Sequence, residues 1–316
     1  MPVSKSKRKK KRHSLPRHAS EPALRHERPD EFPVDIEDLD SALAAELDTE
    51  AAIVDLRRAG RGFRPATLAA AEKIVLEALG AQQKGQWLDL AARALQICPW
   101  CGDAYGLLAM AAGSHPQMAL HFRRLAMAAA EFALDADWGQ DLRKAYAGDY
   151  WSHAATRAYM RAALGLADLL SKMGELEAAA EQYEALLQLN TTDHQGVRYV
   201  LANCLLMLGQ DQRLADLLAG YGNQDSTFVA FNRTLLAFRR VGDAPESRAM
   251  LADAVKANPH VMKYLVEDRA LPPAEIAIYE PGTENEATFY VECAAEGWRA
   301  TPGVIAWLRR CRADRR

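Results

Sequence analysis

The segment MRAALGLADLLSKMGELEAAAEQYEALLQLN, residues 160 to 190, decides the fold. Apolar or small residues recur at helical spacing on both sides of its glycine: Ala163, Leu166, Ala167 and Leu170 before it, and Leu176, Ala179, Tyr183 and Leu186 after it. Intervals of three and four residues are typical of amphipathic helices. Because glycine adopts positive φ without strain, Gly174 predicts a chain reversal between two helices.

The same pattern continues through the chain between Arg161 and Pro259, with a period of about 34 residues. Gly209 and Gly242 stand where Gly174 stands in the first unit, and each separates two further apolar-periodic segments. A repeat of helical hairpins stacks each unit on its neighbours. The sequence therefore predicts an all-α helical-hairpin solenoid.

This pattern resembles the tetratricopeptide repeat, a helix–turn–helix unit with small residues at fixed positions and a proline near its end. Ala167 and Ala179 take the two small positions of the first unit, and Pro259 takes the proline position of the third. The chain departs from the pattern at Thr191, which replaces proline, and at Leu214, which replaces a small residue. The resemblance implies a concave groove lined by the first helix of each unit.

A narrower resemblance covers residues 155 to 312. It is carried by AVKANPHVMKYLVE at 254–267, LPPAE at 271–275, ENEATFY at 284–290 and Trp298. These segments are similar to the carboxy-terminal half of the suppressor-of-tumorigenicity-7 family. The resemblance implies tetratricopeptide-like helices and an interaction role, and it carries over no catalytic residue.

Composition narrows the class of protein. Hydrophobic residues make up 49% of the chain, which excludes global disorder. No apolar run reaches the length of a membrane helix, and the basic start is not followed by the apolar segment of a signal peptide. We therefore expect a cytoplasmic protein without membrane association. Five cysteines at irregular positions predict reduced thiols rather than a disulfide framework.

The net charge of −3 hides a strong asymmetry, because residues 1–28 are basic and the remainder is acidic. Residues 5–12 are almost all Lys or Arg, and apolar residues around them are isolated. Such a segment cannot bury enough surface to order itself, so residues 1–34 are predicted to be a disordered basic arm. Weak contact of residues 5–12 with nucleic acid and a purely solvating role both remain open.

The rest of the chain divides into three predicted regions. Residues 35–150 form an N-terminal helical region with a degenerate repeat, and residues 151–270 form the tetratricopeptide-like core. Residues 271–316 form a C-terminal helical hairpin that caps the array. Thr283-Glu-Asn-Glu286 predicts a capping box at the start of this hairpin.

Two segments allow a functional or a structural interpretation. Cys98-Pro-Trp-Cys101 has the spacing of a redox dithiol or half a zinc site, but neither a preceding strand nor a second ligand pair accompanies it. We predict structural thiols, no metal site and no cofactor. The aromatic residues between Trp138 and Ala155 seal the core or form a stacking platform.

The tetratricopeptide resemblance implies groove positions on the first helices, at Arg161, Asp168, Lys172, Tyr199, Asn203, Asn232, Arg239 and Arg240. We expect these side chains to be exposed on one concave surface. His153 and His194 have no partner at a spacing that indicates acid–base chemistry, so we predict that the chain is not an enzyme.

The sequence thus predicts a non-catalytic scaffold that binds a peptide or protein segment in the groove. Cations at both ends of the groove favour an acidic or carboxylate-bearing ligand. The alternative is a nucleic-acid- or ribosome-associated factor that binds through the basic arm.

Overall fold

A computed structural model describes residues 47–59, 63–78, 84–221, 226–267, 271 and 280–314. Within these ranges the chain forms α-helices and no β-strand, which confirms the all-α prediction. The predicted basic arm, residues 1–34, lies outside the described residues. All described residues belong to one structural unit, and the domain boundaries proposed from sequence stay predictions.

Fourteen α-helices make up the described part of the chain. The first five are α1 Thr49–Arg58, α2 Pro65–Ala78, α3 Lys84–Ile97, α4 Gly102–Ala111 and α5 Pro116–Ala145. The next six are α6 Ala154–Lys172, α7 Leu176–Leu189, α8 Val197–Leu208, α9 Asp211–Gly220, α10 Thr227–Val241 and α11 Pro245–Ala257. The last three are α12 Val261–Glu267, α13 Glu284–Ala300 and α14 Val304–Ala313.

The three helix pairs predicted from the glycine spacing are present as α6–α7, α8–α9 and α10–α11. Gly174, Gly209 and Gly242 each have positive φ, at 84°, 68° and 65°, and each follows the first helix of its pair. Ala167 and Ala179 are fully buried where α6 packs on α7. The local rule that a small residue permits close helix approach is therefore confirmed.

The N-terminal helices have a separate core around Trp100, in the turn between α3 and α4. Its indole Nε1 donates to the backbone oxygen of Leu56 at 3.1 Å, which fixes α1, and its ring stacks on Phe132 of α5 at 5.2 Å. A Cβ on Gly102 would lie 2.8 Å from Cβ of Ala130, so α4 and α5 approach too closely for any larger residue.

Helix α13 lies in the region where the sequence predicted a C-terminal hairpin. It packs along the first helices α8 and α10, and it also contacts α12 and α14. A Cβ on Gly297 would lie 2.9 Å from Cβ of Leu206, so α13 sits directly against α8. Tyr290 and Trp298 of α13 are fully buried against Phe231 of α10. A helix this apolar on one side packs into the array because solvation of its aromatic face would be unfavourable.

Hydrogen bonds of the Glu286 and Thr283 side chains fix the start of α13. The carboxylate of Glu286, 7% exposed, accepts from the backbone N of Thr227 at 3.1 Å and from its hydroxyl at 2.6 Å. Glu286 also accepts from the backbone N of Gly282 at 2.7 Å. The hydroxyl of Thr283 caps the helix by accepting from the backbone N of Glu286. The hydroxyl of Thr283 thus makes its hydrogen bond of the predicted capping box. The carboxylate of Glu286 instead binds Thr227 and Gly282.

None of the described helices combines the length and the apolar character that a membrane-crossing segment needs.

The contact between α13 and α8 yields a stability prediction. Ala is ordinarily better than Gly inside a helix by about 1 kcal/mol. In Gly297→Ala we expect the clash with Leu206 to dominate and to lower the free energy of unfolding by about 1–3 kcal/mol. Chemical denaturation measures this change. Gly85→Ala in α3, where a Cβ meets nothing within 4 Å, is the control and should be neutral or stabilising. Equal effects at the two positions would contradict the packing described.

Helix α1 is held on α5 by a buried histidine, and this contact depends on pH. Nδ1 of His121 lies 2.9 Å from the hydroxyl of Thr49, and burial lowers the pKa of His121 from its usual 6.5. Because the unfolded chain binds the proton more readily, stability should fall as pH drops below about 6.5.

We expect His121→Gln to show a smaller loss of melting temperature between pH 7.5 and pH 5.5 than the wild type. Thermal unfolding at both pH values measures the difference. A loss of the same size in the variant would mean that other groups cause the pH dependence.

Candidate interaction surface

The groove residues on α6 are partly engaged within the chain. Nε and a terminal nitrogen of Arg161 donate to the two carboxylate oxygens of Asp103 at 2.9 and 2.6 Å, in a bidentate pair. Asp168 accepts from the hydroxyl of Tyr183 at 2.7 Å. Lys172 is exposed at the end of the helix. On α6, Lys172 is therefore exposed as predicted, whereas Arg161 is paired with the carboxylate of Asp103.

The groove residues on α8 lie beside α13. The ring of Tyr199 is 3.9 Å from that of Phe228 and 5.7 Å from that of Phe289 on α13. Asn203 is half-buried, and within the described part of the chain its Oδ1 is buried without a hydrogen-bond partner. Both residues therefore contribute to a packed boundary rather than to an open concave wall.

The three groove residues on α10 differ in exposure: Asn232 is buried, Arg239 is largely buried and Arg240 is exposed. Asn232 is 1% exposed and accepts from the hydroxyl of Tyr290 at 3.0 Å. Arg239 is 14% exposed, and it donates to Asp211 at 2.7 Å and to the hydroxyl of Thr301 at 2.9 Å. Arg240 is 65% exposed and pairs with a glutamate on α11.

The expectation that all eight groove residues are exposed is wrong for Asn232 and Arg239. The physical reason is α13, which covers the face of α8 and α10 that the resemblance assigned to a ligand. Arg239 also donates to the backbone oxygens of Leu206 and Gly297, at 3.0 and 3.4 Å, so it joins α8, α10 and α13. Whether the remaining residues bind a ligand stays a prediction.

The pairing of the groove cations changes the expected electrostatics. Arg161, Arg239 and Arg240 each pair with a carboxylate of the chain itself. A paired guanidinium attracts an acidic ligand less strongly, because its charge is largely compensated. The groove cations therefore give an acidic ligand little electrostatic attraction.

The two cysteines of the Cys98-Pro-Trp-Cys101 segment lie in the N-terminal core, and neither is exposed. Helix α3 ends directly before Cys98, and the backbone N of Cys101 donates to the oxygen of Cys98 in a tight turn. Burial raises the pKa of the Cys101 thiol to about 12. A nucleophilic or redox-active cysteine needs a lowered pKa, so this environment favours a structural role.

A small cleft borders α8, α9 and α10 beside Arg198. The guanidinium of Arg198 lies between the rings of Tyr199 and Tyr221, 4.9 and 4.6 Å from their centroids, and its Nε is 3.5 Å from the buried carboxylate of Asp193. Asp193 also accepts from the backbone N of Val197 at 2.7 Å at the start of α8. The carboxylate of Asp193 thus caps the start of α8, and Arg198 is already stacked and paired within the chain.

The aromatic residues near the end of α5 are partly exposed. The rings of Trp138, Tyr146 and His153 are in mutual contact, with centroids 4.4 to 5.3 Å apart. Leu142 and Tyr146 are 44% and 40% exposed. Trp138 and Trp151 also pack on the core, so the sealing interpretation applies to them, whereas Leu142 and Tyr146 present an apolar surface to solvent.

A family model described as Transcriptional repressor TCF25 matches residues 95–314, about seventy per cent of the chain. The chain belongs to this family. No protein of curated function matches it. The matched span begins in α3 and ends just after α14, so it includes the three helix pairs and α13. The resemblance to the suppressor-of-tumorigenicity-7 family is not confirmed.

Adjacent arginines on α10 test whether groove positions are structural or exposed. We expect Arg239→Met to lower the free energy of unfolding by about 1.5–3 kcal/mol, because charge-assisted hydrogen bonds to Asp211, Thr301 and two backbone oxygens are lost. Arg240→Met should stay within about 0.5 kcal/mol of the wild type, because an exposed ion pair contributes little. Urea denaturation of both variants measures the difference. Similar midpoints would show that Arg239 does not hold α13.

Proposed function

We propose that this TCF25-family chain is a non-catalytic protein-binding scaffold that acts in transcriptional repression. The repressor role comes from the description of the family. The binding role is supported by one structural observation: the first-helix face of the array holds an apolar helix, α13, through aromatic packing and side-chain hydrogen bonds. Helix-in-groove contacts of this kind are a common mode of protein recognition.

The surface that we assign to a partner is the part of the predicted groove that does not hold α13. It comprises Arg161, Asp168, Lys172 and Arg240, because Tyr199 and Asn203 belong to the packed boundary beside α13. Lys172 and Arg240 are its exposed cations, one at the end of α6 and one at the end of α10. A partner segment that crosses from one helix end to the other would contact both residues.

The absence of catalysis is part of the same proposal. Burial raises the pKa of Cys98 and Cys204, and it raises that of Cys101 and Cys293 to about 12, so these thiols are poor nucleophiles at neutral pH. Among the described residues, no group of three His, Cys, Asp or Glu side chains is arranged to hold a metal ion. The proposed role in repression also requires that some of the protein is in the nucleus. The sequence alone predicted a cytoplasmic location.

A reporter assay with the full chain tethered to a promoter tests this function. We expect the wild type to repress transcription, and Lys172→Glu with Arg240→Glu to lose roughly tenfold of the effect, because charge reversal at two contact points disfavours docking. The melting temperature should stay within a few degrees, since both side chains are exposed. Arg58→Glu with Lys256→Glu, which reverses two cations that are 77% exposed outside the groove, is the matched control.

The assay also separates the scaffold from the nucleic-acid alternative. Replacing the cations of residues 5–12 by serine should leave repression unchanged if the scaffold acts through protein contacts. Loss of repression with that variant, together with full repression by the groove variant, would contradict the proposal and favour binding through the basic arm. No repression by the wild type would contradict the repressor role itself.

A further inference from the structure

A second surface lies at the end of α5, outside the groove. We call it the α5-end surface, and it comprises Trp138, Leu142, Tyr146 and His153. Leu142 and Tyr146 are separated by one helical turn, as the hydrogen bond from the backbone N of Tyr146 to the oxygen of Leu142 shows. The ring of Tyr146 lies 5.3 Å from Trp138 and 4.4 Å from His153. Exposed apolar side chains gathered in this way mark docking sites more often than isolated ones do.

The backbone holds this surface in place. Gly139 has φ of 67° and ψ of 173°, which breaks α5 and redirects its last turns, and only glycine adopts this conformation readily. After the helix, the backbone N of Gly148 donates to Leu189 at 3.1 Å, and the backbone N of Thr191 donates to Gly148 at 2.9 Å. These bonds join the segment to the end of α7, so a ligand would meet a preorganised surface.

The rim of the α5-end surface is acidic. Asp137, Asp141 and Asp149 are exposed, and Lys144 is the exposed cation of the same segment. Arg143, a further cation of this segment, is 21% exposed and donates to Asp135 at 2.5 Å. Its charge is therefore compensated within the chain. The rim attracts a cationic partner and repels carboxylates and phosphates.

Aromatic rings near this surface already accept guanidinium groups of the chain itself. The guanidinium of Arg157 lies 5.8 Å from the ring of Trp151, and that of Arg143 lies 5.4 Å from the ring of Tyr159. Within the described residues, no cation lies over Tyr146, whose ring is exposed. Cation–π contacts thus occur beside this surface, and the exposed ring of Tyr146 can accept a further cation.

From these observations we propose that the α5-end surface binds a Lys- or Arg-rich peptide segment of a protein partner. The cations of the segment contact Asp137, Asp141 and Asp149, while its apolar residues pack on Leu142 and Tyr146. The inference rests on the proposed function, since it presumes a protein partner. It assigns a second binding surface with the opposite charge preference from the one predicted for the groove.

Fluorescence anisotropy with the full-length protein tests the inference. The probe is a short fluorescein-labelled peptide in which Arg and Leu alternate, and its counterpart has Glu in place of Arg. We expect saturable binding of the Arg peptide. Leu142→Ala with Tyr146→Ala should weaken it roughly tenfold, through lost apolar and cation–π contact. Asp137→Asn with Asp141→Asn should weaken it and reduce its salt dependence.

Matched controls come from α11 and the end of α10. Val241→Ala with Met250→Ala removes apolar side chains of similar exposure, 41% and 36%, and Asp253→Asn removes a carboxylate that is 75% exposed. Both controls should bind as the wild type does. Hydrogen exchange should detect protection within residues 138–153 when the Arg peptide is bound.

Absence of binding by the wild type, equal affinity in the controls and the α5-end variants, or tighter binding of the Glu peptide would each overturn the inference. These failures are distinguishable from failure of the proposed function, because promoter repression and its loss in the Lys172 and Arg240 variant do not depend on this surface.

Discussion

The carboxylate of Glu286 is the constraint on which the C-terminal half of the molecule depends. It is buried and accepts hydrogen bonds from Thr227 at the start of α10 and from Gly282 before α13. The amide of Asn258, at the end of α11, donates to the Thr227 hydroxyl at 3.0 Å and to the Thr283 oxygen at 2.9 Å. A buried charge is tolerated only when its hydrogen bonds are satisfied, so three segments of the chain must meet at this point.

This polar cluster sets the direction of α13, and α13 in turn sets what the array can bind. With its start fixed at Thr227, the helix runs along α8 and α10, where Gly297 permits close contact with Leu206. Arg239 then bonds to the last turn of α13 and to Thr301. In an open solenoid the first-helix face would be solvent-exposed. Here α13 covers this face on α8 and α10, so it is an internal packing surface. The surfaces that we propose for recognition are therefore the helix ends and the α5-end surface.

Local patterns in the sequence predicted the helix pairs, because a glycine with positive φ and small residues at close contacts act within one unit. The exposure of side chains in the groove depends on α13, whose position the repeat pattern does not predict, and Asn232 is therefore buried where the pattern predicts exposure. Its partner Tyr290 lies far along the chain, and no spacing rule joins them. The spacing of Thr283 and Glu286 does predict the start of α13, because it is typical of an N-terminal cap. It does not predict that Glu286 binds Thr227, which is far away in the sequence.

The location of α13 also constrains how the chain is made. Phe228 and Phe231 of α10 are synthesised well before Tyr290 and Trp298, the side chains that cover them. At the usual pace of about 5–20 residues per second, the nascent array presents an aromatic face for seconds before its own helix arrives. Such a face is a target for chaperones and for incorrect pairing with another nascent chain. Completion of the native core is therefore a late event, and any interruption of synthesis between α12 and α13 leaves a repeat array with an uncovered aromatic face.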